Sequence, residues 1–130
     1  MARTQSLVGR HWEYGHFDCY TLVRDFFAQQ GVTLPDFERP KDLETCESIF
    51  LEQAERCGFV RVDYKNRQPG DMLVLRLDTR APMHGAILLP DDLILHQREN
   101  SLSAIEPLGR YYSSRVAAVF RYAAEDKAAR

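Results

Sequence analysis

Cysteine is scarce in this sequence, and the few cysteines present do not pair by spacing. The 130 residues include three of them, Cys19, Cys46 and Cys57, and no two form a C-x-x-C pair. An odd number without close spacing argues against a disulfide framework and against a cysteine-rich zinc site. Free thiols are typical of a reducing compartment. A chain of this length can bury about two-thirds of its unfolded surface without a covalent or metal staple.

The sequence also lacks an excess of basic charge and any long apolar run. Its 17 Lys and Arg residues against 19 Asp and Glu residues give a formal net charge of −2, so nothing electrostatic favours nucleic acid or an anionic membrane as a partner. No stretch approaches the about 18 apolar residues of a membrane-spanning helix. The N-terminal segment has no apolar run of signal-peptide length. We therefore expect a protein made in the cytoplasm, with neither a nucleic-acid partner nor a membrane partner.

The composition that remains is that of an ordinary globular domain. Hydrophobic residues make up 45% of the chain and charged residues 28%, which are usual values for such domains. The sequence contains no internal repeat, low-complexity stretch or linker-like segment. These features predict a single domain over residues 1–130.

The first half of the chain carries the helical patterns. Apolar residues recur at helical spacing between residues 18 and 30, which predicts a helix with Asp18 as its N-cap and Gly31 just beyond its end. A second helix is predicted over Lys41 to Cys57, and Gly58 is expected to end it.

The second half of the chain carries the strand patterns. Short apolar runs bounded by turn residues predict strands, and a turn is expected at Asp91-Asp92. The predicted strands cover residues 72–77, 84–89, 93–96, 101–106 and 116–122. Because helices come first and strands follow, the sequence predicts an α+β fold in which N-terminal helices pack on an antiparallel sheet.

Cys19 has the sequence context of a reactive thiol. It directly follows the predicted N-cap, Asp18, and so lies in the first turn of the predicted helix. The unpaired backbone N–H groups and the positive dipole end of a helix favour a thiolate at such a position. The same N–H groups could stabilise an oxyanion that develops beside the sulfur.

Two histidines are candidates for the base that such a thiol needs. His84 begins one predicted strand and His96 ends the next, with a short turn between the strands. In an antiparallel hairpin the start of one strand lies beside the end of the other, so the two side chains should be neighbours. One could act as a general base while the other orients it.

The same cysteines and histidines also allow plainer interpretations. A lone helical cysteine is more often a small core residue, which is our interpretation of Cys46 and Cys57. Zinc is a further alternative because Cys19, His84 and His96 are ligand types that suit it, although no fourth ligand and no closely spaced pair is apparent. We expect no metal and no cofactor.

Three segments, in this order, resemble the NlpC-type cysteine peptidases of the NlpC and p-sixty superfamily. YGHFDCYTLVRDFF is similar to the nucleophile segment of that family, and QPGDMLVL is similar to its Pro-Gly-Asp segment before a strand. HGAILLPDDLILH is similar to the segment that brings the general base and a third polar residue. The resemblance covers nearly the whole chain, with a core of about residues 11–122.

This resemblance implies a fold, a reaction and a catalytic triad. The implied fold is a papain-like α+β domain, and the implied reaction is hydrolysis of amide bonds in the stem peptides of peptidoglycan. Cys19 would be the nucleophile, His84 the general base and later the acid, and His96 the third member that orients the base.

The resemblance also implies substrate-binding residues around the nucleophile. Tyr14 and Asp18 match in type the family positions that help to bind the peptide end of the substrate. For each, a structural role stays open, because Tyr14 could instead pack over the helix start and Asp18 could only cap the helix. Tyr20 stands where cell-wall members of the family carry Ser, so the chemistry transfers better than the exact substrate.

The aromatic residue after the cysteine, Tyr20, is similar to the one that follows Asp-Cys in the branch of the family found in phage tail assembly. That branch implies a phage tail or prophage component, assembled into a virion, whose partners are a peptidoglycan peptide and other phage tail proteins. Two alternatives stay open. The domain could be a structural or assembly subunit of a tail with little activity, or an intracellular amide hydrolase or acyltransferase on the same fold.

Overall fold

A six-stranded antiparallel sheet lies at the centre of the computed structural model, which describes residues 2–35, 51, 54–77, 82 and 84–123. The strands are β1 (Phe59–Val62), β2 (Met72–Leu75), β3 (His84–Leu89), β4 (Leu93–His96), β5 (Ala104–Pro107) and β6 (Val116–Tyr122). Helix α1 spans Cys19–Ala28 and the short helix α2 spans Gly109–Ser113. A helix followed by an antiparallel sheet confirms the predicted α+β class.

The strand order is β1-β6-β2-β3-β4-β5, and each neighbouring pair runs antiparallel. Strands β2 to β5 follow one another in space as they do along the chain. Strand β6 breaks this order because it lies between β1 and β2. The two halves of the sheet are therefore joined by the strand that comes last in sequence.

The central strands of the sheet bury both of their faces. On one face, alternate residues of β2 and β3 pack with the apolar side of α1, in a cluster that includes Leu22, Phe26, Phe27, Met72, Val74, Ile87 and Leu95. On the other face, the residues between them pack with the segment around α2, in a cluster that includes Leu73, Leu75, Ala86, Leu88, Ile94, Leu108 and Tyr112. Covering on both faces explains why β2 and β3 are continuous apolar runs rather than alternating ones.

Helix α1 begins directly after the predicted N-cap and ends at Ala28, two residues before the predicted end, and Gly31 closes the turn beyond it. The Asp18 carboxylate accepts the Thr21 N–H at 3.0 Å and the Thr21 hydroxyl accepts the Asp18 N–H at 2.7 Å, which is a capping box. At the other end Gly31 has a φ of +83°, and the Val32 N–H donates back to the Phe27 carbonyl at 2.9 Å. Within the described ranges, no helix combines the length and the apolar character needed to cross a membrane.

The second predicted helix, Lys41 to Cys57, lies mostly outside the described residues, and its last four residues form a turn. The predicted stop at Gly58 is present. Gly58 has a φ of +93°, and the Phe59 N–H donates back to the Ala54 carbonyl at 3.0 Å. This is the same hydrogen-bond pattern that ends α1.

The structure corrects several strand boundaries. β1 was not predicted, because only Phe59 of its four residues is fully buried and its pairing partner is the distant β6. β2 ends at Leu75 rather than at residue 77. β5 begins at Ala104 rather than at residue 101, because Ser103 bonds to the N-terminal segment instead, its N–H donating to the Arg10 carbonyl at 3.0 Å. Helix α2 and a 3-10 helix over Ala2–Leu7 were also not predicted.

The turn between β3 and β4 confirms the expectation for Asp91-Asp92. Both residues have positive φ values, 65° and 53°, in the left-handed region that Asp tolerates better than most side chains. The Asp92 carboxylate accepts two hydrogen bonds from the Arg67 guanidinium, at 3.3 and 2.9 Å. The Asp92 carbonyl accepts the Leu108 N–H at 2.9 Å. The turn is thus fixed from two sides.

A buried carboxylate joins β2 to β6. Asp71, directly before β2, is 2% exposed and accepts two hydrogen bonds from the Arg121 guanidinium, both at 2.9 Å. Its second oxygen also accepts the Gln68 N–H at 2.8 Å. The Asp of the Pro-Gly-Asp segment therefore closes its own turn and anchors the strand that splits the sheet order.

We expect Arg121→Ala to lower the free energy of unfolding by about 2 kcal/mol, because it leaves the buried Asp71 carboxylate short of two charged donors. Urea denaturation at neutral pH measures the loss. The matched control is Arg61→Ala on β1, whose guanidinium donates to the Ala117 carbonyl at 3.1 Å in an exposed position. An equal loss in both variants would contradict a specific role for the Asp71 pair.

Candidate active site

Cys19 occupies the first position of α1, directly after its N-cap. Its side chain is half-buried and packs against the cluster between α1 and the sheet. Helix α1 lies against β3, the strand that begins at His84. The structure therefore places the predicted nucleophile at a helix N-terminus, where backbone N–H groups favour a thiolate.

The carboxylate of Asp18 is fully engaged by the backbone around the cysteine. Asp18 is 4% exposed. One oxygen accepts the Thr21 N–H at 3.0 Å, and the other accepts the Gly15 N–H at 2.9 Å. Asp18 thus ties the loop before the helix to the helix itself, and these contacts support the capping role left open by the sequence.

His84 and His96 are hydrogen-bonded to each other, as the hairpin argument predicts. His84 Nε2 and His96 Nδ1 are 2.8 Å apart, and the rings meet edge to face. The register explains the contact: His96 pairs with Ala86, which lies two residues from His84 on the same face of β3. Both side chains are buried, with exposures of 8% and 1%. The proximity is confirmed, while the roles of the two residues stay predictions.

Glu106 extends this pair and was not among the site residues predicted from the sequence. His96 Nε2 is hydrogen-bonded to Glu106 Oε2, and the Tyr112 hydroxyl donates to the same oxygen at 3.3 Å. The Tyr112 ring also packs edge-on against His96, with 4.9 Å between centroids. The signal available in the sequence was the alternation of β5: Ala104 pairs with His96, so Glu106 lies diagonally across from it on the same face.

Burial keeps both histidines neutral. Burial, together with the charges of His96 and Arg98, lowers the pKa of His84 to about 3. Burial also lowers the pKa of His96, although the hydrogen bond to Glu106 and its charge act in the opposite direction. A neutral imidazole at neutral pH is the form that can accept a proton from a thiol.

The two predicted tyrosines lie in different environments. Tyr14 is 39% exposed and its ring stacks on Trp12, with 6.1 Å between centroids, so it presents an aromatic surface in the loop before Cys19. Tyr20 is 5% exposed, and its hydroxyl donates to the Pro35 carbonyl. A ring buried in this way fills the core and offers little surface to a substrate, so the contacts favour Tyr14 over Tyr20 as a substrate-binding residue.

The other cysteines differ from Cys19 in setting. Cys57 is a free thiol, and burial raises its pKa, which disfavours the reactive thiolate. Cys46 lies outside the described residues. Within the described ranges, no three His, Cys, Asp or Glu side chains cluster as a metal ion would require. The expectation of a metal-free site stays a prediction.

Comparison with known proteins points to one family. Residues 9–121 match the model of the NlpC/P60 family. The tail tip assembly protein K of Escherichia phage lambda is 34% identical over 119 residues, which cover 91% of this chain and 60% of the relative. The protein of the same name from Escherichia phage N15 is 30% identical over 122 residues, covering 89% of this chain and 49% of that relative. The chain thus spans about half to three-fifths of the length of these relatives.

Solved structures share the fold at low sequence identity. An NlpC/P60 family protein from Bacillus cereus has a TM-score of 0.68 at 23% identity, covering 93% of this chain and 38% of its own. NlpC2 from Trichomonas vaginalis has a TM-score of 0.65 at 15% identity, covering 93% of this chain and 45% of its own. These similarities confirm the predicted NlpC-type fold.

We expect acid to destabilise the protein through His84. In the unfolded chain its pKa returns to about 6.5, whereas burial holds the folded pKa near 3. The stability is therefore complete above pH 6.5 and falls as the pH drops towards 3, by up to about 1.4 kcal/mol per pH unit. Urea denaturation at pH 7 and pH 5 measures the change. His84→Gln should reduce the dependence, leaving the part due to His96, and the exposed control His16→Gln should keep it. Equal slopes in all three proteins would refute the assignment.

We expect Asp18→Asn to lower the free energy of unfolding by about 1 kcal/mol, because the amide NH2 group replaces one of the two oxygens that accept the Thr21 and Gly15 N–H groups and cannot accept a hydrogen bond. Thermal and urea denaturation measure the effect. Asp63→Asn is the matched control, since Asp63 precedes a 3-10 helix without a side-chain capping bond. If Asp18→Asn is as stable as the control variant, the Asp18 carboxylate does not stabilise the start of α1 through these two hydrogen bonds.

Proposed function

This chain belongs to the NlpC/P60 family, whose members are generally cysteine peptidases, and we propose that it is a thiol hydrolase that cleaves amide bonds in peptidoglycan stem peptides. The observation that carries the proposal is the buried, hydrogen-bonded pair of His84 and His96 on β3 and β4, together with Cys19 at the N-terminus of α1, the helix that packs against β3. The order Cys, His, His along the chain supports the same assignment.

His84 is the general base in this proposal. Its Nε2 is taken by His96 at 2.8 Å, so Nδ1 is the nitrogen that receives the thiol proton. His96 holds the ring of His84 in place. Burial lowers the pKa of His84, so its ring is neutral at neutral pH before it takes that proton.

The reaction runs through a thioester. The Cys19 thiol gives its proton to His84, and the sulfur attacks the carbonyl carbon of the substrate amide, forming an S–C bond. The Cys19 backbone N–H stabilises the oxyanion. The C–N bond then breaks and the leaving amine takes the proton from His84. Water attacks the thioester, giving a proton to His84, and the S–C bond breaks to return the free thiol and a carboxylic acid.

The substrate and setting follow from the family and the relatives. Peptidoglycan stem peptides are the substrate class implied by the NlpC-type resemblance, and the exposed, stacked Tyr14 supports a peptide-binding surface beside Cys19. The matching proteins of phages lambda and N15 are named tail tip assembly proteins. We therefore propose that this chain acts as a phage tail component, with other tail proteins as partners and the virion as its destination.

A second candidate is an assembly subunit with a peptidase-like fold and little activity. The names of the relatives favour it, since they describe assembly rather than hydrolysis. The presence of Cys19 at a helix N-terminus together with the hydrogen-bonded pair of His84 and His96 argues for chemistry. Turnover separates the two candidates.

We expect the wild-type protein to release muropeptide fragments from purified sacculi, as measured by mass spectrometry. Cys19→Ala should abolish turnover, and His84→Ala should lower it by about 10²- to 10⁴-fold, the usual contribution of a general base. Iodoacetamide should label Cys19 faster than Cys57, whose thiol pKa is raised by burial.

The control variant is Cys57→Ala, which removes a thiol that the mechanism does not use. It should retain turnover. Cleavage of casein without cleavage of any muropeptide would remove the substrate while leaving the thiol mechanism. No turnover of either material, together with equal labelling of Cys19 and Cys57, would favour the assembly subunit.

A further inference from the structure

Glu106 stands at the far end of the hydrogen-bonded chain that begins at His84. We propose that it is a positioning residue that fixes which nitrogens of His96 and His84 carry hydrogen, so that His84 Nδ1 is left bare. This inference rests on the proposed function for its catalytic meaning, but the hydrogen pattern itself is a property of the resting protein.

The Glu106 carboxylate decides which nitrogen of His96 carries the hydrogen. An ionised carboxylate only accepts hydrogen bonds. Because Glu106 Oε2 is bonded to His96 Nε2, that nitrogen must carry the hydrogen and donate it. The Tyr112 hydroxyl donates to the same oxygen at 3.3 Å, which helps to hold the carboxylate in place.

The position of the hydrogen on His96 in turn fixes the position of the hydrogen on His84. His96 is neutral because burial lowers its pKa, so a hydrogen on Nε2 leaves Nδ1 as an acceptor. The only partner for that acceptor in the pair is His84 Nε2, 2.8 Å away, which must then be the donor. His84 is neutral as well. With its hydrogen on Nε2, it keeps a lone pair on Nδ1, the nitrogen that the mechanism requires as the base.

Without the Glu106 carboxylate, the positions of these hydrogens are no longer fixed. His96 could then carry its hydrogen on Nδ1 and donate to His84 Nε2, which would move the His84 hydrogen to Nδ1. In that arrangement His84 Nδ1, the nitrogen that the proposed mechanism uses, is already protonated and cannot act as a base. The same logic is known for serine proteases, where a carboxylate holds the catalytic imidazole in the correct tautomer.

The groups around Glu106 suit a tuning role. Its side chain is 45% exposed, so it lies at the rim of the buried pair rather than inside it. Glu106 favours protonation of His96, and the positive charge of Arg98 opposes protonation of both histidines. The pair therefore has a negative acceptor on one side and a positive charge that keeps it neutral.

Long-range ¹H–¹⁵N spectra of the imidazoles in the resting protein test the proposal. We expect both His84 and His96 to be protonated on Nε2 in the wild type. Glu106→Ala should give a mixture that includes the Nδ1–H form. Glu106→Gln should do the same, because a carboxamide can donate as well as accept. Tyr112→Phe should keep the wild-type pattern, since Glu106 is still present. Glu99→Gln, an exposed glutamate near the end of β4, is the matched control and should also keep it.

Turnover of muropeptides adds a second readout. Glu106→Gln should lower kcat by about 10- to 100-fold, the usual cost of losing a group that orients a metal-bound histidine, with KM unchanged. A wild-type His84 protonated on Nδ1, or a pattern unchanged in both Glu106 variants, would overturn the inference. Because the spectra are recorded without substrate, they decide on Glu106 even if the protein proves to hydrolyse nothing.

Discussion

The pairing register between β3 and β4 is the constraint on which the candidate site depends. His96 lies opposite Ala86, and this offset brings the two histidine rings together on one face. Successive residues of a strand point to opposite faces, so a slip of one residue would send one ring to the opposite face of the sheet. The turn that sets the offset is itself fixed, because Arg67 binds the Asp92 carboxylate and Leu108 binds the Asp92 carbonyl.

Burial of the histidines makes sense only together with their hydrogen bonds. Moving a polar ring out of water is unfavourable unless its nitrogens find partners. His96 has a partner on each nitrogen, and His84 has His96 on one of its own. Glu106 supplies a negative charge at the exposed rim of the pair, because an isolated charge in the buried interior would be too costly. The site thus combines a dry centre, which keeps the base neutral, with a wet edge, where the carboxylate lies.

The sequence predicted well those elements whose signals are local. The start of α1 depends on Asp18 and Thr21, three residues apart, and the ends of β3 and β4 depend on the turn between them, so these bounds were confirmed. β1 could not be predicted in the same way, since its pairing comes from β6. Glu106 was missed for a related reason: its contact with His96 depends on the β4–β5 register, which the spacing of the two segments does not reveal.

The placement of β6 between β1 and β2 has a consequence for how the chain folds during synthesis. Phe59 pairs with Tyr122 and Met72 with Phe120, so two strands must wait for a segment that the ribosome makes much later. Until then both strands have an edge without a pairing partner, and the edge of β2 is apolar. Such edges promote aggregation with other chains. Contacts between such distant segments also slow folding. A nascent chain of this kind gains from late, cooperative closure, in which the arrival of one strand completes the sheet and Arg121 reaches Asp71.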